Sequence, residues 1–363
     1  MKKHYDLPLI IVTAILVLTG LVMVSSSSVV LATQQFGSPY YYFKHQFFIG
    51  FIGGGAFCYI MSKIDYKKLK KIAPVFLFMS FLLLILVFIP GIGTGFGGAR
   101  RWIKLGLSFQ PSEFVKLGMI IYLAAWLSKD KEGVRSFTKS FIPFVVVVCA
   151  VSILLLKQPD TGTMGIIAVI AITMFFTAGG RFSHMFLFIT GLAGALWGLI
   201  KWAPYRMNRF LVFLDPSIDP KGIGYHINQA LIAIGSGGIF GMGFGHSRQK
   251  FNYLPEPIGD SIFAIIAEEL GLIGGAVILV LFGIFAWRGF RIAKYAPDKF
   301  GMLLAVGITS WIIFQAIINI AAITSLMPLT GITLPFISYG SSSLVMSLGG
   351  VGILINISKN ISV

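Results

Sequence analysis

LPEPIGDSIFAIIAEELG, residues 254–271, sets a polar, proline-punctuated approach directly against an apolar run that begins at Ile262. Asp260 therefore falls at the mouth of a predicted membrane helix, and Glu268 and Glu269 lie about 12–14 Å deeper at a 1.5 Å rise per residue. A carboxylate at or in a bilayer costs roughly 2.5–3.5 kcal/mol on insertion scales and usually marks a pathway or a site. The competing reading is structural: Asp260 caps a helix while the two glutamates pair with buried donors. The stretch alone leaves both open, so the rest of the chain has to decide.

Working outward, 56% of the 363 residues are hydrophobic and only 12% charged, and the mean hydropathy is +0.87. Apolar stretches of 16 to 25 residues recur from end to end, each long enough for roughly 30 Å of hydrocarbon. Such uniform runs suit helices and not the dyad alternation of a barrel. The expected fold is all-α and polytopic, a single domain over 1–363 with about ten transmembrane helices. The expected spans are 7–25, 45–61, 74–89, 112–127, 141–156, 162–178, 183–200, 261–287, 300–323 and 334–357. The basic start and apolar run of MKKHYDLPLIIVTAILVLTG look like a signal peptide, but the run is long for one and reads as a retained first helix.

The net charge of +16 does not point to nucleic acid, because the cations are scattered through short loops. Alternate assignment with the N-terminus inside puts seventeen of the 29 Lys and Arg on the cytoplasmic side and eleven outside, with Lys116 in a span. Both termini are thus expected in the cytoplasm, with membrane lipids as the partners of the basic loops. Cys58 and Cys149 sit in apolar runs without ligand spacing, which argues against a disulfide framework or a zinc site. Gly50/Gly54 and Gly194/Gly198 have the small-xxx-small spacing of packed helices.

Two outer segments are basic without a topological reason. One is 91–111, GIGTGFGGARRWIKLGLSFQP; the other is the large outer segment 201–259 between the seventh and eighth helices. Basic residues beside Trp102 and Trp202 suit an anionic lipid head, or simply anchor helix ends at the interface. Within the second segment, 223–236 is apolar but too short to span, as a re-entrant or amphipathic piece would be. The glycine-rich GSGGIFGMGFG, 235–245, lacks the Lys-Ser/Thr of a phosphate loop. It reads equally as a flexible connector or as backbone that comes close to a ligand.

Polar residues gather at one membrane face: Glu113 and Lys116, three apart on one helix face; Asp160 in KQPDTG; Asp260; and Ser338, Tyr339 and Ser341–Ser343 after Pro335. No matching carboxylate cluster lies inside, where acids only alternate with lysine, as in 129–132. An outward-facing active site follows more naturally than a gated transporter with charges at its midplane. Arg100, Arg101, Lys104 and Lys116 are the candidates to hold an anionic headgroup or leaving group, with Asp260 as base. Asp160, Glu113 and Asp260 would also suit a divalent cation, Mg2+ or Mn2+, shared with phosphate oxygens.

At these residues the chain resembles the SEDS family (shape, elongation, division and sporulation), which includes RodA, FtsW and SpoVE. The resemblance rests on RWIKLG…QPSEFVKLG (101–118), QPDTGT (158–163), IGSGGIFGMGFGHSRQKFNYLPEP, GDSIFAIIAEELG, Asn319 and PLTGITLPFISYG. It covers essentially the whole chain, and GIGYHINQALIAIGSGG with GHSRQK looks more like FtsW than RodA. It implies a peptidoglycan glycosyltransferase that polymerises lipid II into β-1,4 strands at the outer face of the bacterial cytoplasmic membrane, at the division septum. It implies Asp260 as base, with Arg101, Glu113, Lys116 and Asp160 around the lipid diphosphate or its metal. It also implies a class B penicillin-binding protein, a transpeptidase, as partner, with other division proteins. The rival readings are a lipid II flippase routed past Glu268 and Glu269, and a non-catalytic division scaffold. Two departures stand out: Ile258-Gly259 precede Asp260 where family members often have His-Thr, and Ser341 follows Gly340 where glycine is usual.

Overall fold

The computed structural model of the chain describes residues 5–96, 99–105, 107–129, 134–202, 204–215, 218–219 and 222–361. The lysine–acid alternation from residue 130 on, the side chains of Trp202 and Arg206, and Lys221 lie outside the described residues. Among those described, six helices are long and apolar enough to cross a membrane: Leu7–Ser27, Tyr66–Leu86, Phe137–Lys157, Ile262–Lys294, Lys299–Ile323 and Ser341–Ser358. The remaining expected spans also fall on helix, namely the run from Tyr41 to Lys63, Pro111–Leu127, Thr161–Thr177 and Phe182–Trp202.

Local chemistry sets the boundaries. Asp6 caps the first helix through the Leu9 amide (3.0 Å) and Asp298 caps Lys299–Ile323 through the Gly301 amide (2.8 Å), satisfying amides that helix geometry leaves without partners. Pro8 and Pro111 occupy first-turn positions where no amide donor is needed. Lys299–Ile323 and Ser341–Ser358 form the centre, apolar on nearly every side, as interior helices must be. Gly50 and Gly54 bring a neighbouring run close to the last helix, where an added Cβ would fall 3.0 Å from Leu344 and 2.8 Å from Leu348. The second glycine pair behaves otherwise. Gly194 and Gly198 have nothing within 4 Å of an added Cβ, so no described neighbour uses their spacing.

Three further departures from the expected all-α plan shape the site. Residues 91–111 build a three-stranded antiparallel sheet, β1 Gly93–Phe96, β2 Ala99–Leu105 and β3 Leu107–Phe109, in the order β1-β2-β3. In β2 Arg100 and Lys104 are exposed and Ile103 is buried, and the register against β1 shifts between Thr94 and Gly95, which stand opposite Trp102 and Arg100. Secondly, Gln46–Gly53 winds as a π-helix. Thirdly, Ile262–Lys294 is not continuous. Gly271 adopts φ 68, ψ −168 and splits it into two helices.

That break exposes backbone groups within an apolar surround, where each would cost several kcal/mol if left alone. The glycine-rich segment supplies the partners. Met242 and Gly243 amides donate to the Glu268 and Glu269 carbonyls (2.9 and 3.0 Å), while Leu272 and Ile273 amides donate to the Gly238 and Ile239 carbonyls (2.9 and 3.2 Å). An added Cβ at Gly241 would sit 2.2 Å from the Glu269 carbonyl oxygen. The run 235–245 is therefore a docked segment and not a free connector.

Both deep glutamates serve the same docking. Glu268 accepts from the Ser247 hydroxyl and from the Arg248 amide (2.9 Å). Glu269 pairs with Lys250 at 2.9 Å, fully buried, and accepts from Ser26 at 3.0 Å. At the opposite membrane end the first, eighth and last helices meet. The Asp6 amide donates to Ser358 Oγ (3.3 Å) and the Asp6 carboxylate pairs with Arg288 (2.6 Å).

Candidate functional site

Asp260 lies in the turn that opens Ile262–Lys294, and its backbone is held from two sides. Asn319, on Lys299–Ile323, donates to the Asp260 carbonyl (2.9 Å) and to the Ile332 carbonyl (2.7 Å). Ser338 Oγ accepts from the Leu334 amide (2.8 Å) and donates to the Gly259 carbonyl (2.7 Å). The Tyr339 amide donates to the Ile258 carbonyl (2.8 Å). The 254–261 approach is thus pinned to the loop before the last helix. Gly340 N and Ser338 O are in turn held by the Gln46 carboxamide, presented by the π-helical turn (3.2 and 3.3 Å).

Around the carboxyl, Asp260, Asn319 and the turn Leu329–Ile332 line a narrow crevice. Asn319 Oδ1 and Thr330 Oγ1 have no hydrogen-bond partner there. Burial raises the Asp260 pKa to about 6, against the opposing pull of the Ser261 hydroxyl and the Arg209 charge. A carboxylate with that value is a better proton acceptor than an exposed one and is still ionised at neutral pH.

Three neighbours were not legible as site residues. His226, near the start of Ile223–Ser236, places Nε2 2.7 Å from Ser261 Oγ, which itself donates to the Pro255 carbonyl at 2.8 Å and reaches Asp260 Oδ1 at 3.4 Å. Burial lowers the His226 pKa, with Glu256 opposing and Arg209 reinforcing. Glu256 is raised by burial and then by the Asp260 charge. Arg209 donates to the Leu329 carbonyl (3.0 Å) and its charge is felt at Asp260. The sequence signal was faint: one of two histidines and one of three arginines in the long segment 201–259, with nothing in their spacing to tie them to residue 260.

The expected residues divide into two groups. Ser338 and Tyr339 join Asp260 through the backbone bonds above, and Tyr339 O–H lies 3.1 Å from His45 Nδ1. Arg101 reaches across to the turn before Thr161–Thr177, donating to the Gln158 carbonyl (3.1 Å) and the Pro159 carbonyl. Asp160 follows at once and caps that helix through the Thr163 amide (3.2 Å), leaving Oδ2 buried without a hydrogen-bond partner. Arg100 and Lys104 are exposed on β2, with Trp102 half-buried between them. Lys116 is fully buried within the helix packing, on Glu113 Oε1 (2.9 Å), Gln315 Oε1 (2.7 Å) and the Trp311 ring.

Among the described residues no three His, Cys, Asp or Glu side chains gather to hold a metal. Asp160 Oδ2 and Glu113 Oε2 are buried carboxylate oxygens without a hydrogen-bond partner, and Glu113 already holds Lys116 through its other oxygen. A divalent cation would fit at Asp160 only with phosphate oxygens completing its shell.

Residues 6–362 match the FTSW_RODA_SPOVE family, described as cell cycle protein. The chain is 47% identical over 360 residues to stage V sporulation protein E of Bacillus subtilis, covering 99% of this chain and 98% of that one. It is 42% identical over 362 residues to the probable peptidoglycan glycosyltransferase FtsW of Trichlorobacter lovleyi, covering 99% and 94%. Among solved structures, a chain of a peptidoglycan synthase complex that coordinates polymerization and crosslinking superposes with a TM-score of 0.80 at 28% identity, covering 98% of both. The rod shape determining protein RodA of Thermus thermophilus superposes at 0.69 and 26% identity, covering 98% and 97%.

Proposed function

We propose that this chain, which belongs to the FTSW_RODA_SPOVE family of cell cycle proteins, is a peptidoglycan glycosyltransferase that polymerises lipid II at the outer membrane–water boundary. The observation that carries the reading is the setting of Asp260: at a helix mouth, in a narrow crevice, with the 259–260 backbone fixed by Ser338 and Asn319 and its carboxyl raised to about 6. The Asp260 carboxylate takes the proton of the acceptor's 4-hydroxyl as that oxygen bonds to the donor's anomeric carbon. The bond from that carbon to the diphosphate breaks, and undecaprenyl diphosphate leaves with the electron pair. Single displacement inverts the α-linked donor into a β-1,4 product and needs one base and no second nucleophile. Arg209 and the cations of β2 neutralise the diphosphate; Asp160 would help hold a divalent cation, whose charge would offset that of the leaving diphosphate.

The placement we propose is multi-pass in the bacterial cytoplasmic membrane at the septum, with ten spans and both termini inside. The junction of Asp6, Arg288 and Ser358 supports it, because it gathers the ends of the first and last helices at the membrane end opposite Asp260. The partner we propose is a class B penicillin-binding protein. Both deep glutamates are engaged, Glu268 by the Ser247 hydroxyl and the Arg248 amide and Glu269 by Lys250, which counts against a flippase routed past them.

The test is polymerisation of lipid II by purified protein with a divalent cation and the partner, read as glycan length on a gel. Asp260→Asn should leave the protein folded and form no chains. Chain growth equal to wild type would remove Asp260 from the reaction.

A further inference from the structure

At the membrane end opposite Asp260, a cavity of about 680 Å3 opens between the ends of Thr161–Thr177 and Ile262–Lys294 and the start of Lys299–Ile323. Its size lies in the roughly 300–1,000 Å3 range of small-molecule sites. Three cations line it, Arg135, Lys294 and Lys299, against one acid, Asp298. That acid is already engaged: its carboxylate accepts from the Tyr66 hydroxyl and the Gly301 amide (2.8 Å), with Lys67 at 4.0 Å. Arg135 leans on the Gly179 carbonyl (3.5 Å) at the rim and is otherwise exposed, as is Lys294.

Pro297 and Met302 give the same cavity an apolar wall. A soluble phosphate has no use for such a wall, whereas a phospholipid brings a charged phosphodiester and an acyl stem together. The level also fits, because Lys294 ends and Lys299 begins helices long and apolar enough to span, which puts these cations at headgroup depth. We propose that this cavity binds the phosphodiester headgroup of an anionic membrane phospholipid, with the Arg135 fork and the Lys294 ammonium as its donors. Nothing in the proposal depends on the reading of Asp260.

The experiment equilibrates the full chain in detergent with equal amounts of phosphatidylglycerol and phosphatidylcholine and counts retained lipids by native mass spectrometry. Wild type should retain phosphatidylglycerol over phosphatidylcholine by about tenfold or more. Arg135→Gln/Lys294→Gln, matched to wild type in melting temperature, should lose the preference. Lys68→Gln/Lys71→Gln, which removes two exposed cations outside the cavity, should keep it. Equal retention of the two lipids by wild type, or the same loss in the control pair, would overturn the site. A final arm adds millimolar inorganic phosphate: undisturbed phosphatidylglycerol supports the lipid assignment, and its displacement overturns it in favour of a small soluble anion.

Discussion

At Asp260 the balance between burial and charge has a measurable consequence. Burial disfavours the carboxylate and lifts its pKa to about 6, while Ser261 and Arg209 pull it down. A base must be ionised to act, so activity should rise as pH climbs through about 6 and level off above it. A pH profile of kcat/KM on lipid II checks this, and a flat profile from about pH 5 to 7.5 would separate the turnover from this carboxyl. Lys116 makes the contrasting case. It is a cation enclosed by Glu113, Gln315 and Trp311, and removing one member of a buried pair typically costs about 3–5 kcal/mol. Lys116→Met should therefore lower the melting temperature sharply, and Glu113→Gln/Lys116→Met should recover most of the loss. A stable Lys116→Met protein that fails only in polymerisation would show that the ammonium serves the substrate instead.

Among the elements, the broken helix at Gly271 explains why the long outer segment has a fixed position at all. Four backbone hydrogen bonds couple 238–243 to 268–273, and the Glu269–Lys250 pair with Ser26 locks the far side. An alanine at 271 would need φ near 68 and would put Cβ 2.4 Å from the Ile239 carbonyl oxygen. The strain alone is of order 1–3 kcal/mol, before any loss of the docked bonds. Gly271→Ala should lower the melting temperature and speed proteolysis between 235 and 250; unchanged protection of that segment would refute the coupling. Neither the break nor the docking could be read from the sequence. Gly271 sits in an apolar run that periodicity assigns to one helix, and a left-handed glycine leaves no mark on composition. The sheet at 93–109 was different. Within ARRWIKL only Ile103-Lys104-Leu105 alternates, and the segment's charge pointed to lipid contact rather than to strand geometry.

For the whole molecule, the apolar helices were legible because length and hydropathy decide what can cross hydrocarbon, and six of the described helices meet both conditions. Asp260, Ser338 and Tyr339 come from stretches where a polar loop meets an apolar run, and backbone hydrogen bonds hold those stretches against each other. His226 and Arg209 escaped because tertiary packing brings them to the Asp260–Ser261 turn from 35 or more residues away in the chain. The two ends of the molecule now differ in kind. One carries the carboxyl crevice, and the other carries the Asp6–Arg288–Ser358 junction and the basic cavity. Positive charge favours the cytoplasmic side, so the crevice should face outward. With the native Cys58 and Cys149, both free thiols, replaced by serine, single cysteines can report each end. Tyr253→Cys lies near the crevice and Tyr295→Cys near the cavity, at positions that are 57% and 51% exposed. A membrane-impermeant maleimide applied to intact spheroplasts should label Tyr253→Cys alone, and both after lysis. Labelling of Tyr295→Cys alone in intact cells would invert the molecule, moving Asp260 to the cytoplasmic face and ruling out an extracellular acceptor.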